Sequence, residues 1–158
     1  MPPSLNLPTL NALFVFVGMV LVESSKVSVG RGTPYPFSQF GYNGAWSLNL
    51  KEQRGAIFRK IMFIPSLDPL TGQKLEGFSI HIEDRKAFRS TTLAIRILKH
   101  LFSLDRENMD FKHLSIRYGS DDLRKCLEDD MGVREIAETW IDSSTDYIEA
   151  RQAFLLYD

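Results

Sequence analysis

The hydrophobic pattern begins with a nearly unbroken apolar run over residues 12–22. The run is too short to span a bilayer as a helix, so we interpret it as a buried core segment. Thr9 has the side chain of a helix N-cap, and Gly18 interrupts the run. These residues predict a short helix over residues 10–17 that ends at Gly18, although a strand over residues 13–17 fits the Val and Phe content equally well.

The next apolar positions alternate with polar ones, which is the period of a β-strand. Residues 56–64 predict one strand, stopped by Pro65, and residues 77–83 predict a second. In the second strand three large apolar side chains share one face, and His81 lies on the other with a serine and a glutamate. Turn-forming residues between the strands favour antiparallel pairing, whereas residues 38–54 are predicted to be a loop.

The period becomes helical in the second half of the chain. The predicted elements are a helix over residues 91–103 capped by Ser90, a strand or extended segment over 111–118, a helix from 120 to about 132, and one helix or two over 133–150, with any break at 142–146. The apolar end, residues 154–157, is expected to dock on the core. Because strands precede helices, the sequence predicts an α+β fold: a small antiparallel sheet with helices, mainly in the C-terminal half, packed on one face.

Composition narrows the possible functions. The length of 158 residues fits one domain, and a net charge of −1 gives no electrostatic signature of nucleic-acid binding. The single cysteine, Cys126, excludes an internal disulfide and a CxxC metal site, and the histidines have no ligand spacing, so neither a metal nor a cofactor is predicted. No Lys or Arg precedes the apolar run, so a secretory signal is not predicted either.

The residues that follow the apolar run form the most distinctive loop of the sequence. Gly30 and Gly32 flank Arg31 and can adopt positive φ on both sides of it. Two prolines then stiffen the segment that carries Tyr35. Such a loop suits a site that grips a carboxylate or a hydroxyl-rich ligand. It equally suits a well-packed loop without a ligand.

Five charged or titratable residues are the candidates for chemistry: Glu23, Arg31, His81, Asp84 and Arg85. Glu23 follows an apolar run, and a carboxyl in such a place can act as a general acid or base. A self-sufficient glycosidase would pair Glu23 with Asp84 or Glu83 at roughly 5–10 Å. The alternative is that Glu23 pairs with Arg31 or Arg85 and only locks the loop.

The motifs together resemble a known family, the C-terminal domains of NamZ-type exo-β-N-acetylmuramidases, long described as a bacterial domain of unknown function. The resemblance covers nearly the whole chain, in order. The motifs that carry it are Asn6 to Thr9, Gly18-Met19, Glu23 to Thr33, Pro36-Phe37, Phe40-Gly41, Phe63 to Pro65, Gly77 to Arg85 with Phe88, Tyr118 to Ser120 with Leu123-Arg124, Glu135-Ile136, Trp140 and Phe154 to Tyr157.

The resemblance implies an auxiliary domain of a two-domain glycoside hydrolase. Members release N-acetylmuramic acid from the non-reducing ends of peptidoglycan fragments, in the periplasm or another extracytoplasmic space. A Rossmann-like N-terminal domain, absent from these 158 residues, carries their main catalytic carboxylate, and the sugar cleft lies against the C-terminal domain. The implied partners are therefore a muramic-acid-containing sugar or peptidoglycan fragment and a separate N-terminal catalytic domain, with no nucleic acid and no membrane span.

Carried over by motif, the positions expected to border the cleft are Glu23, Arg31, His81, Asp84 and Arg85, and Tyr35 joins them as the residue presented by the same loop. The chain departs from the family where Ser24-Ser25-Lys26 replaces Gly-Thr-Asn and where Pro34-Tyr35 replaces Thr-Arg. The alternatives are a diverged remnant of the family and a non-catalytic interaction module. The module would expose an apolar patch near Phe37, Phe40, Tyr42 and Trp46.

Overall fold

The computed structural model describes residues 4–44, 47–51, 53–104 and 106–156, except for the side chains of residues 142 and 143. The described residues form three strands and six α-helices. In chain order these are α1 (Leu10–Val22), β1 (Gln39–Tyr42), β2 (Ala56–Phe63), β3 (Leu75–Ile82), α2 (Ser90–Leu104), α3 (Phe111–Tyr118), α4 (Asp122–Glu128), α5 (Val133–Glu138) and α6 (Ile141–Arg151), with short 3-10 turns at Arg106–Asn108 and Gln152–Phe154. The predicted α+β fold is confirmed.

Helix α1 is the element from which the candidate site is built. Thr9 caps it as predicted, because its hydroxyl accepts a hydrogen bond of 3.1 Å from the amide of Ala12. The predicted end at Gly18 is wrong, as is the strand alternative, because the helix continues to Val22. A Cβ at Gly18 would lie 1.9 Å from the carbonyl oxygen of Ser90, so glycine is needed there to let α2 approach.

The sheet has the strand order β1-β3-β2, and every neighbouring pair is antiparallel. The predicted pairing of β2 with β3 is confirmed, with Phe58 opposite Ile80. Strand β1 lies in a region predicted to be a loop, and that prediction is wrong. Its four residues include a glycine and a glutamine, so it is too short and too irregular to show a period of two.

At the C-terminal end of β3, an asparagine of α1 makes the backbone hydrogen bonds that a neighbouring strand would otherwise make. The Asn11 side chain accepts a hydrogen bond of 3.2 Å from the amide of Ile82 and donates one of 3.2 Å to the carbonyl of Ile80. These bonds connect the first helix to β3 beyond Gln39, the first residue of β1. The hydrophobic core lies between the helices and the sheet face that carries Phe78 and Ile80.

Two predictions for the C-terminal half are corrected by the structure. Residues 111–118 form a helix and not a strand, because Asp110 accepts a hydrogen bond of 3.0 Å from the amide of His113 and Gly119, at φ 93°, ends the helix. The break in the last helical region falls at residues 139–140 and not at 142–146. There the indole of Trp140 donates a hydrogen bond of 2.6 Å to the Tyr118 hydroxyl, which fixes the turn.

The end of the described chain does not dock on the core, contrary to prediction. Phe154 and Leu156 are 83% and 88% exposed, and Tyr157 lies outside the described residues. Helix α6 is similar, since each of its described side chains is exposed. No helix within the described ranges has the length and apolar character needed to cross a membrane.

Candidate functional site

The loop after α1 bends where the sequence predicts. Gly30 and Gly32 have φ of 78° and 73°, in the region that glycine tolerates best. Gly32 also packs tightly: a Cβ there would lie 2.5 Å from the amide nitrogen of Leu67, and its carbonyl accepts a hydrogen bond of 2.7 Å from Ser66. The bend therefore brings Arg31 beside the turn over residues 66–69.

Arg31 and Glu23 form an ion pair with two hydrogen bonds. Arg31 Nε donates to Glu23 Oε1, and Arg31 Nη2 donates to Oε2 over 3.3 Å. The guanidinium also lies 4.7 Å from the ring centroid of Phe37, a buried residue at φ 59°. The sequence left two interpretations of Glu23 open, a catalytic carboxyl or an ion-pair partner of Arg31 or Arg85. The structure shows the ion pair with Arg31.

A surface cavity of about 380 Å³ lies over this ion pair. It is lined by acidic, basic and apolar side chains and by one hydroxyl-bearing side chain: Glu23, Ser25, Val27, Val29, Arg31, Leu67, Asp68, Pro69 and Arg117. Asp68 stands on the wall formed by the 66–69 turn. Its carboxylate accepts a hydrogen bond from the Ser28 hydroxyl and one of 2.8 Å from the amide of Leu70.

Arg117 is a pocket residue that the sequence analysis missed. It lies in the last turn of α3, and its Nη1 donates a hydrogen bond of 2.9 Å to the hydroxyl of Ser24, which is fully buried. The two residues are 93 positions apart in the sequence, and residues 111–118 were predicted to be extended. The Arg117-Tyr118-Gly119 run, a basic residue before a helix-ending glycine, is the local signal that a helix ends there.

Neither His81, on the polar face of β3, nor Tyr35 lines this pocket. His81 Nε2 is 3.0 Å from the hydroxyl of Ser79, which is paired across the sheet with Gln39. The Gln39 amide in turn donates a hydrogen bond of 3.1 Å to Thr33. This row of polar contacts leads from His81 to the loop, where the Tyr35 side chain is 64% exposed.

Asp84 and Arg85 lie near the opposite end of α1. The Asp84 carboxylate accepts hydrogen bonds of 2.8 and 3.2 Å from the amides of Lys86 and Ala87, which closes a turn. The Arg85 guanidinium lies 5.4 Å from the ring centroid of Phe14. Phe14 precedes Glu23 by nine residues, about 13 Å along a helix axis, so the structure does not bring Asp84 and Arg85 to the Glu23–Arg31 pair.

Two further observations concern the interaction-module alternative and metal binding. Of the four residues of the apolar patch expected of an interaction module, Phe37 and Phe40 are buried and Tyr42 is half-buried; Trp46 lies outside the described residues. Within the part of the chain that the structure describes, no three His, Cys, Asp or Glu side chains are grouped closely enough to hold a metal ion.

Comparison with known proteins confirms the resemblance drawn from the motifs. The family model described as "Exo-beta-N-acetylmuramidase NamZ, C-terminal" matches residues 14–157. The peptidoglycan β-N-acetylmuramidase NamZ of Bacillus subtilis is 28% identical over 168 aligned residues, which cover 98% of this chain and 40% of that protein. This chain therefore spans less than half the length of the curated relative that it matches.

Two crystal structures of DUF1343 family proteins from Bacteroides fragilis share the fold. One has a TM-score of 0.84 at 20% identity and is matched over 100% of this chain and 45% of its own. The other has a TM-score of 0.76 at 24% identity, over 99% of this chain and 44% of its own. At these identities the likeness supports the arrangement of the elements and no more.

Proposed function

This chain belongs to the family of NamZ exo-β-N-acetylmuramidase C-terminal domains, and from that membership we propose that it forms one wall of the sugar cleft of a peptidoglycan exo-β-N-acetylmuramidase. In this proposal the chain binds and orients a muramic-acid-containing sugar, and a Rossmann-like N-terminal domain supplies the catalytic carboxylate. The chain is expected to be inactive alone. The observation that carries the proposal is the charged pocket over the Glu23–Arg31 pair, two residues at positions carried over from the family motif.

The bonding of Glu23 favours a role in binding over one in catalysis. Both of its carboxylate oxygens accept hydrogen bonds from Arg31. A general acid has to deliver a proton to the substrate, whereas both Glu23 oxygens are already engaged by the Arg31 guanidinium. Asp84, one of the two carboxyls considered as a partner for Glu23, is engaged in a turn near the far end of α1. We therefore propose that Glu23 holds Arg31 at the cleft wall.

Uncovered apolar surface supports the need for a partner domain. Leu10, Phe14 and Val17 follow one another along α1 at helical spacing and all are exposed. Helix α6 is exposed throughout its described side chains although it carries Ile141, Tyr147 and Ile148. A helix of 11 residues is marginal in water without packing. We call these two exposed faces, of α1 and of α6, the docking surface.

The docking surface and the pocket meet at Arg117. A groove of about 840 Å³ runs between α1 and α6, and its lining includes Val17, Val20, Tyr147 and Arg117. Arg117 also lines the pocket over the Glu23–Arg31 pair. This chain matches 40–45% of the length of its relatives. We propose that their remaining N-terminal part covers the docking surface and completes the pocket beside Arg117.

The test is a hydrolysis assay with a chromogenic β-glycoside of N-acetylmuramic acid. The chain is assayed alone and mixed with the N-terminal domain of a family member. Activity only in the mixture is the expected result. Turnover by the chain alone would mean that this sequence itself contains the catalytic carboxylate. Absence of hydrolysis in the mixture would contradict the proposal that the chain forms a wall of the cleft.

A matched pair of variants tests the docking surface separately. Val17 lies on that surface and Ile64 lies elsewhere, yet each is 58% exposed. Val17→Asp is expected to weaken the activation of the mixture at least about tenfold, because it buries an unpaired charge in the interface, whereas Ile64→Asp should leave it unchanged. Equal effects of the two substitutions would show that the partner docks elsewhere or not at all.

A further inference from the structure

The pocket contains an arginine, Arg117, whose guanidinium has N–H donors available for a further hydrogen-bond acceptor. Arg117 is exposed and makes one hydrogen bond, to Ser24, and no described carboxylate forms an ion pair with it. A guanidinium has five N–H donors in a planar fork that matches a carboxylate. We propose that Arg117 binds the carboxylate of an acidic sugar in this pocket. This inference rests on the proposed function and names the group of the substrate that the wall recognises.

The two arginines that the sequence analysis put forward are differently placed. Arg31 already has a carboxylate partner in Glu23 and a cation–π contact with Phe37, so a second anion would have to compete with Glu23. Arg85 lies against Phe14, about 13 Å along α1 from Glu23. Arg117 is thus the arginine of the pocket that is left to meet an incoming carboxylate.

The anchor of Arg117 is rigid, which favours a positioned contact over a mobile one. Ser24 is fully buried, its amide donates to the carbonyl of Leu21 over 3.0 Å, and its carbonyl accepts from the amide of Asp110 over 2.8 Å. The hydroxyl that receives Arg117 is therefore fixed by backbone on both sides. Holding one side of the guanidinium in advance lowers the entropy cost of binding an anion on another side.

Another wall of the pocket, formed by the 66–69 turn, has the complementary chemistry. Asp68 accepts hydrogen bonds from Ser28 and Leu70, one to each carboxylate oxygen, and each oxygen retains acceptor capacity. Hydroxyl groups of a sugar are suitable donors to those oxygens. A ligand with a carboxylate at one side and hydroxyls at the other, the pattern of a sugar acid such as N-acetylmuramic acid, matches a pocket with Arg117 on one wall and Asp68 on another. The cavity volume of about 380 Å³ is within the range of small-ligand sites.

The experiment compares two sugars that differ in the carboxylate. N-acetylmuramic acid carries a lactyl ether with a carboxylate, and N-acetylglucosamine lacks it. The full 158-residue chain is titrated with each sugar and followed by ¹⁵N NMR at the amides of the pocket and at Arg117 Nε. We expect the acidic sugar to bind at least about tenfold more tightly, as one charge-assisted contact allows.

Two variants that each remove one positive charge distinguish a direct contact between Arg117 and the carboxylate from a general effect of net charge. Arg117→Gln should abolish the preference for the acidic sugar and leave the affinity for N-acetylglucosamine unchanged. Arg134→Gln removes the same charge from an exposed arginine of α5 that does not line the pocket, and should keep the preference. An unchanged preference in Arg117→Gln, an equal loss in both variants, or no shift of pocket resonances with either sugar would overturn the inference.

The hydrolysis assay distinguishes this failure from failure of the proposed function. If the mixture with the N-terminal domain is active and Arg117→Gln keeps its KM for the muramic acid glycoside, the wall role stands and the carboxylate contact is refuted. If the mixture is silent, the wall role itself fails. A KM raised about tenfold with kcat nearly unchanged is the result expected of a residue that binds the substrate without taking part in the chemistry.

Discussion

Replacement of Gly18 by alanine gives the sharpest test of how the first helix is placed. Alanine is the better helix former by about 1 kcal/mol, so a helix viewed in isolation would be stabilised. The fold predicts the opposite. The new Cβ would lie 1.9 Å from the carbonyl oxygen of Ser90, 2.3 Å from its carbonyl carbon and 2.9 Å from the next amide nitrogen.

The size of the effect follows from the movement that the clash demands. Ordinary contacts of a Cβ begin at 3.4 Å, so the two helices would have to separate by 1.5 Å (3.4 minus 1.9) at this point. The obstructing atoms are backbone and cannot rotate away. Overpacking of this kind costs about 1–3 kcal/mol or more, and the core between α1 and α2 loosens as well. Because the overlap is with backbone, we take the upper end of about 3 kcal/mol, which leaves a net loss of about 2 kcal/mol after the gain of about 1 kcal/mol in helix propensity.

Urea unfolding followed by far-UV circular dichroism measures the difference. Val17→Ala, a substitution at the neighbouring exposed position, is the control and should change the free energy of unfolding by no more than about 0.5 kcal/mol. A Gly18→Ala variant as stable as the parent chain, or more stable, would refute the close approach of α2 to α1.

Three further predictions concern the sheet, the loop and the pH dependence of stability. Asn11→Leu should lower the free energy of unfolding by about 1–3 kcal/mol, because it leaves the amide of Ile82 and the carbonyl of Ile80 without these hydrogen-bond partners. An effect no larger than that of Val17→Ala would contradict this. Glu23→Gln should cost about 1–3 kcal/mol by removing the charge that holds Arg31, and an unaltered urea midpoint would count against the lock. Burial lowers the pKa of His100 below 6.5, so the unfolded chain takes up that proton first and the free energy of unfolding should fall as the pH drops through and below 6.5. In His100→Phe, unfolding curves above and below that pH should differ less, and an identical difference would contradict the assignment.

Local chemistry is what the sequence could specify. Thr9 caps α1 because its hydroxyl meets an amide three residues away, and Gly30 and Gly32 bend the loop because each lacks a Cβ. The alternation in β3 and the helical stripe of α2 were legible because each of these elements is long and buried on one face. The motifs of the 23–37 loop, taken with those of the rest of the chain, were enough to identify the family.

Contacts between distant segments were decided only by the tertiary structure. Gly18 is a packing site because α2 comes to it, and β1 is a strand because β3 lies beside it, facts that neither segment encodes locally. Arg117 reaches the pocket because Ser24, 93 positions away, is buried where α3 ends. The same holds for the separation of Arg85 from Arg31: Arg85 contacts Phe14 in α1, whereas Arg31 pairs with Glu23 just after that helix, and each residue of a helix advances by about 1.5 Å.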